Sequence, residues 1–155
     1  MDTIVASYKM LDELNVDRTD FRNVIDFYSK LNWNKFLEET NEIGNAFSDI
    51  DKIVKSKLFN VNILTHVTSF HEAEAKINYI QSKTHDLTII TVPKSIDKTK
   101  VVNAKDSILI DDYTRNLDIW SSAGGIGIKF SLKSKNEKYH TITELKEIIE
   151  YEESI

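Results

Sequence analysis

The sequence contains no cysteine, a single proline and only four glycines among its 155 residues. Without cysteine there is no disulfide framework, no thiolate nucleophile and no cysteine-based zinc site, and the composition agrees with a reducing compartment. We therefore expect a cytoplasmic location. Because proline and glycine are so scarce, the chain has no linker-like or low-complexity segment, which together with its length predicts one domain over residues 1–155.

An excess of positive charge and long hydrophobic runs are also absent. The formal net charge is −5, so the chain has no basic surplus that would neutralise the phosphates of a nucleic-acid polymer or of anionic lipids. No stretch approaches the roughly 20 apolar residues of a membrane-spanning helix, and the first residues show no basic segment followed by an apolar run. We expect neither a polynucleotide nor a membrane partner.

The first third of the chain has helical periodicity. Over residues 8–57, apolar side chains such as Phe27 and Leu31 recur every three to five positions among charged ones, which predicts two or three helices. Trp33 and Phe36 belong to this pattern. Their rings could stack on a nucleobase, although aromatic residues at helical spacing are more often part of a core.

Beyond this helical segment the sequence changes to short runs of β-branched residues. The runs at residues 61–65, 87–92 and 107–110 have the length and apolar character of buried strands. Between the first two, Ser69 can cap a helix that carries Glu72 at its third position. The order strand, helix, strand implies a right-handed parallel crossover.

The remaining segments continue the alternation. A predicted helix at residues 114–123 is followed by a short strand at 126–130, and amphipathic spacing over residues 141–151 predicts a final helix. We therefore predict an α/β fold in which residues 58–155 form a parallel sheet flanked by helices, with the helical segment inserted in front of it.

Polar side chains follow three of the predicted strands. They are, in chain order, Thr65 and His66, then Lys94 and Lys98, and finally Asp111 and Asp112. Because ligands bind outside the carboxyl ends of parallel strands, we expect these groups to converge. A hydroxyl, an ammonium group and a carboxylate pair suit a phosphate together with Mg²⁺, which is normally bound through one or two carboxylates and the phosphate itself.

Taken singly, these residues also have plain structural interpretations. A threonine at a strand end is most often a turn residue, and most lysines are solvated surface groups. The adjacent carboxylates of Asp111 and Asp112 are more specific, because they repel one another and need a cation or hydrogen-bond donors. The shared order of all three sets along the chain favours a common site, with Lys94 as the alternative to Lys98.

Three segments resemble motifs of the haloacid dehalogenase (HAD) phosphatases. Residues 107–130, which begin Ser-Ile-Leu-Ile-Asp-Asp and contain Gly-Gly before a strand, are similar to the fourth motif in bacterial and phage 5'(3')-deoxyribonucleotidase-like proteins. Residues 62–65 resemble the second motif, and residues 97–99 resemble the third. The resemblance covers residues 61–130 well, and the preceding helices only in outline.

This resemblance implies a HAD-like Rossmannoid sheet with residues 8–57 as a helical cap. It also implies a Mg²⁺-dependent phosphomonoesterase that hydrolyses a nucleoside monophosphate through an aspartyl-phosphate. By position, Thr65 and Lys98 would hold the phosphate, Asp111 would bind Mg²⁺, and Asp112 would support the site. The weaker candidates for contact with the substrate are Trp33, Phe36 and His66.

The family's first motif, Asp-x-Asp-x-Thr/Val after an apolar strand, has only a remnant in residues 1–5. In this alignment Asp2 takes the place of the second aspartate, a general acid and base that also binds the metal. The nucleophilic aspartate would belong immediately before Met1, so we expect impaired hydrolysis. Loss of that central strand would also expose its neighbours, which predicts reduced stability or homo-oligomer formation. The alternatives are a truncated gene product, an inactive HAD-like protein that binds a nucleotide or a partner, and a HAD phosphatase with another substrate.

Overall fold

The computed structural model describes residues 10–152, apart from residues 18, 85, 134 and 136. The helices and strands are α1 (Phe21–Lys30), α2 (Trp33–Glu39), α3 (Ala46–Ser56), β1 (Asn62–Val67), α4 (Phe70–Lys83), β2 (Thr88–Pro93), a 3-10 turn (Lys98–Lys100), β3 (Ile108–Asp111), α5 (Thr114–Ser122), β4 (Ile126–Phe130), β5 (Thr141–Ile142), a second 3-10 turn (Leu145–Glu147) and α6 (Ile148–Glu152). Helices and short parallel sheets thus alternate, which confirms the predicted α/β class.

Local capping explains where the first two helices begin. The side chain of Asp20 accepts a hydrogen bond from the backbone N–H of Arg22 at 2.9 Å, and Asn32 accepts one from Lys35 at 3.1 Å. Each cap satisfies a donor that the first turn of a helix leaves without a partner. The apolar side of α2 then packs on α4, in a cluster with four buried members: Trp33, Phe36, Leu37 and Ala75.

Helix α3 packs elsewhere. Its buried Ile53 lies in a second cluster with Ile128 of β4, Ile142 of β5 and Ile148 of α6. Asp49 of the same helix is also buried, and its carboxylate pairs with Lys52 at 3.1 Å. The helical segment 8–57 is therefore divided by its packing, because α2 lies against α4 whereas α3 lies against β4, β5 and the last helix.

All strand pairs are parallel, and they form two sheets. One sheet contains β1 and β2, with Thr65 opposite Thr91; the other has the order β3-β4-β5, with Asp111 opposite Lys129. The sequence predicted one continuous sheet. Among the described strands, only β4 is paired on both edges, and β1, β2, β3 and β5 each have one edge without a strand partner.

The last predicted helix begins later than its periodicity indicated. Thr141 and Ile142 form β5, which pairs with Lys129 and Phe130 of β4. The prediction was wrong here because β-branched residues fit a strand well, and helical spacing alone does not reveal a neighbouring strand. Glu144 and Glu147 then form a capping box that starts the second 3-10 turn.

Within the described ranges, no helix combines the length and the apolar character that crossing a bilayer requires.

Candidate functional site

A buried ion pair joins two of the predicted site residues at the carboxyl edge of the strands. Lys98 opens the 3-10 turn after β2, Asp111 ends β3, and the Lys98 Nζ lies 2.6 Å from the Asp111 Oδ2. Their side chains are only 10% and 5% exposed. A pair this short and this shielded from water forms a charge-assisted hydrogen bond with weak solvent screening.

Asp111 accepts two further hydrogen bonds. The backbone N–H of Tyr113 donates to Oδ1 at 2.8 Å, and the Asn116 amide donates to Oδ2 at 2.9 Å. Asn116 was missed by the sequence reasoning, although its position in the first turn of the following helix was a usable signal. Three donors therefore hold the Asp111 carboxylate in one orientation.

His66 of β1 fixes the loop that carries Lys98. Its Nε2 lies 3.0 Å from the Ile96 carbonyl oxygen, and since that oxygen can only accept, the ring proton is on Nε2. Partial burial lowers the pKa of His66 below its ordinary value, and the positive charges of Lys98 and Lys94 act in the same direction. The bond to Ile96 and the charge of Asp111 oppose this shift. The imidazole is therefore neutral at pH 7.

The loop after β2 connects the two sheets at this edge. Ile96 is held by His66 of the first sheet, and two residues later Lys98 is held by Asp111 of the second. Leu64, which shares a face of β1 with His66, packs against the cluster around Leu109 of β3. This loop thus joins the carboxyl ends of the two sheets.

Thr65 does not join the Lys98–Asp111 pair. Its hydroxyl lies 3.5 Å from the Lys76 Nζ and 3.4 Å from the His66 carbonyl oxygen, both at the limit of a hydrogen bond. Successive side chains of a strand point to opposite faces, so the face that brings His66 towards Lys98 turns Thr65 towards α4. The predicted meeting of Thr65 with Lys98 and Asp111 is not formed among the contacts that the structure describes.

A second, unpredicted ion pair lies beside Thr65. Lys76 of α4 pairs with the buried Glu72 at 2.7 Å and donates to the His66 carbonyl at 2.9 Å. The other Glu72 oxygen accepts from both the N–H and the hydroxyl of Thr68, each at 2.6 Å. Ser69 caps α4 as predicted, by accepting from the Glu72 N–H at 3.1 Å. This network ties the end of β1 to the first turns of α4.

Asp112, the second member of the predicted carboxylate pair, is exposed. Its backbone carbonyl accepts a hydrogen bond from the Nζ of Lys129, which also donates to the Thr114 hydroxyl at 3.2 Å. Lys129 is a further cation at this edge that the sequence reasoning did not single out. Its position follows from the strand register, which places it opposite Asp111 and which the sequence pattern did not indicate.

The aromatic candidates are part of the core. Trp33 and Phe36 are both buried, and the Trp33 indole N–H donates to the Tyr28 carbonyl at 3.1 Å. The Trp33 ring lies against Tyr28 on one side, and the Lys76 ammonium is 5.7 Å from its centroid. Neither ring has an open face for a base, which favours the core interpretation. The remaining candidate, Asp2, lies outside the described residues.

The residues described at this edge do not form a Mg²⁺ site by themselves. Over the described part of the chain, no group of three histidine, aspartate or glutamate side chains is arranged to hold a metal ion. Asp111 is the buried carboxylate here, and its two oxygens already accept from Lys98, Asn116 and Tyr113. A magnesium ion would need at least one further ligand and a shift of the Lys98 ammonium.

Two surface clefts lie away from the ion pair. One is lined by residues 10–17 and α1, and the other by Phe70, Ile77 and Thr91. Neither cleft includes Lys98 or Asp111. The candidate site is therefore assigned from the polar residues at the strand ends and not from a surface cleft.

Comparison of the chain with protein-family models gave no match, and comparison with curated proteins and with solved structures gave no significant match. The function is therefore inferred from the geometry of the site and from the motifs that it contains.

Proposed function

We propose that this chain is a HAD-like domain of the 5'(3')-deoxyribonucleotidase type that binds the phosphate of a nucleoside monophosphate. The corresponding mechanism would be Mg²⁺-dependent hydrolysis through an aspartyl-phosphate. The observation that carries the proposal is the buried pair of Lys98 and Asp111, because the two residues come from separate motifs and meet at the carboxyl edge of parallel strands. Buried ion pairs are costly to desolvate, so one at a ligand-binding edge indicates a binding or catalytic role.

Two further lysines near this pair offer positive charge to an anionic ligand. Lys98 is neutralised by Asp111, but Lys94 and Lys129 have no carboxylate partner in the part of the chain that the structure describes. The Lys94 charge acts at this edge, since it lowers the pKa of His66. These two ammonium groups would attract a phosphate at an edge that also carries the Asp97 and Asp112 carboxylates, in a chain whose overall charge is −5.

The strand arrangement agrees with the same proposal. The described β1 and β3 present edges without a strand partner, while their carboxyl ends are joined by the loop that carries Ile96 and Lys98. In a HAD-like sheet the strand bearing the first motif lies centrally, so one further strand between β1 and β3 would unite the two sheets. That strand would deliver its aspartate beside Lys98.

A second candidate function is phosphate binding without turnover. Hydrolysis through an aspartyl-phosphate needs a free carboxylate nucleophile. Asp111 is engaged by three donors, and no second carboxylate contacts Lys98 among the residues that the structure describes. An inactive HAD-like protein that binds a nucleotide would have this arrangement.

Binding and turnover can be measured separately with deoxyuridine monophosphate. Calorimetry gives the affinity, and phosphate release with and without Mg²⁺ gives the rate. We expect Lys98→Met to weaken binding by about tenfold or more, since it removes a charged donor. The matched control is Lys100→Met, which changes an exposed lysine of the same 3-10 turn and should bind within about twofold of the unmodified chain.

The outcomes separate the candidates. Mg²⁺-dependent release of phosphate would support the enzyme, and Lys98-dependent binding without release would support the binding protein. Equal binding by Lys98→Met and Lys100→Met would contradict both. Circular dichroism should verify that each variant is folded, and Lys98→Arg, which keeps the charge, should retain part of the affinity.

A further inference from the structure

Two large apolar side chains are exposed beside the Lys98–Asp111 pair. Tyr113, two residues after β3, is 55% exposed, and Ile96, three residues after β2, is 39% exposed. Single exposed apolar residues are common on protein surfaces and need no explanation by themselves. What distinguishes these two is how their backbones are attached.

Each backbone is fixed to a polar residue of the candidate site. The Tyr113 N–H donates to the Asp111 carboxylate at 2.8 Å, and the Ile96 carbonyl accepts from His66 at 3.0 Å. Tyr113 therefore emerges from the β3 side of the edge, and Ile96 emerges from the β1 side. Each of the two side chains thus lies only two residues along the chain from a member of the Lys98–Asp111 pair.

We infer that Tyr113 and Ile96 select the organic part of the ligand and favour one that carries a planar, apolar ring. This inference rests on the proposed phosphate-binding function. The exposed tyrosine ring offers a face or an edge to a second ring, and the branched side chain of Ile96 offers apolar contact. A phosphate ester of a small aliphatic alcohol reaches neither group, so it gains only the contacts of its phosphate.

The test compares phenyl phosphate, methyl phosphate and inorganic phosphate by calorimetry on the full chain. An aromatic contact of ordinary strength predicts that phenyl phosphate binds about 2- to 10-fold more tightly than methyl phosphate. Tyr113→Ala should bring this ratio close to one, Tyr113→Phe should keep it, and Tyr113→Leu should keep only part of it. Because Asp111 is bound by the backbone N–H at position 113, these substitutions leave its hydrogen bond in place.

Ile96→Ala provides the second variant, and Leu58→Ala provides its control. Leu58 is 46% exposed, but it precedes the amino end of β1, whereas the candidate site lies at the carboxyl ends of the strands. Ile96→Ala should lower the ratio of the two affinities, and Leu58→Ala should leave it unchanged. An equal effect of Ile96→Ala and Leu58→Ala would remove Ile96 from the inference.

The failures are distinguishable. If inorganic phosphate and both esters fail to bind, or if Lys98→Met has no effect on them, the proposed function fails and the inference fails with it. If all three ligands bind in a Lys98-dependent manner but phenyl and methyl phosphate bind equally, the function stands and the assignment of Tyr113 and Ile96 is wrong.

Discussion

The burial of the Lys98–Asp111 pair makes a quantitative prediction about stability. Lys98→Met removes the ammonium group and leaves the Asp111 carboxylate in surroundings where its side chain is only 5% exposed. Breaking a buried pair by removing one partner typically costs about 3–5 kcal/mol. Since Asn116 and the Tyr113 N–H still donate to Asp111, we expect the lower end of that range, roughly 3 kcal/mol.

A double-mutant cycle isolates the interaction from other effects of each substitution. Asp111→Asn alone leaves Lys98 without its partner, whereas the double variant with Lys98→Met removes both charges. The double variant should therefore be more stable than the sum of the two single changes predicts, with a coupling free energy of about 2 kcal/mol or more. Urea unfolding provides the free energies, provided that the dependence on urea is the same in all four proteins.

An exposed pair with the same separation serves as the control. Lys30 and Asp26 are also 2.6 Å apart, but their side chains are 73% and 60% exposed. Exposed pairs of this spacing in a helix contribute about 0.3–0.5 kcal/mol. A coupling at Lys98–Asp111 no larger than that at Lys30–Asp26 would refute the reasoning, because it would mean that water screens both pairs equally.

Four further predictions concern metal, pH, capping and association. Mg²⁺ should raise the melting temperature if the proposed metal site exists, and Asp111→Asn should largely abolish the rise while Asp49→Asn, at a buried aspartate elsewhere, should not; equal responses would remove the assignment. Because the pKa of His66 is lowered on folding, the unfolded chain takes up the proton first, so stability should fall as the pH drops through about 6.5 and level off below the folded pKa. His66→Gln should flatten this part of the pH profile, and an unchanged profile would contradict the assignment. Ser69→Ala should cost about 1 kcal/mol in urea unfolding, since it removes the cap of α4; no loss would show that the cap contributes nothing. The unpaired edges described for β1 and β3 should cause self-association that increases with concentration in sedimentation equilibrium, and a constant monomer mass would contradict this.

Local signals in the sequence predicted the elements well, because each signal acts over a few residues. The β-branched run that forms β1 and the cap at Ser69 both depend on neighbours in the chain. The division into two sheets was not predictable in this way, since strand order depends on contacts between distant residues. The same limit explains β5, where Thr141 and Ile142 become a strand only because β4 is available to pair with them.

The candidate site shows the same limit at the level of side chains. The rule that ligands bind at the carboxyl ends of strands was enough to predict that Lys98 and Asp111 lie together. It could not predict that Thr65 points the other way, because that depends on which face of β1 packs against Leu109. Nor could it supply Asn116 or Lys129, whose roles follow from the turn after β3 and from the register of β4.

The geometry also limits how tightly a phosphate can bind. Lys98 is already the partner of Asp111, and this pair is one of the contacts that hold the two sheets together at the carboxyl edge. A phosphate that draws the ammonium group away must compensate for a buried carboxylate that keeps only Asn116 and the Tyr113 N–H. A phosphate that instead binds beside the intact pair needs other cations to balance its negative charge. Lys94 and Lys129, which lie at the same edge, can provide them. The second mode avoids the cost of separating the pair, so phosphate affinity should depend on Lys94 and Lys129 as well as on Lys98.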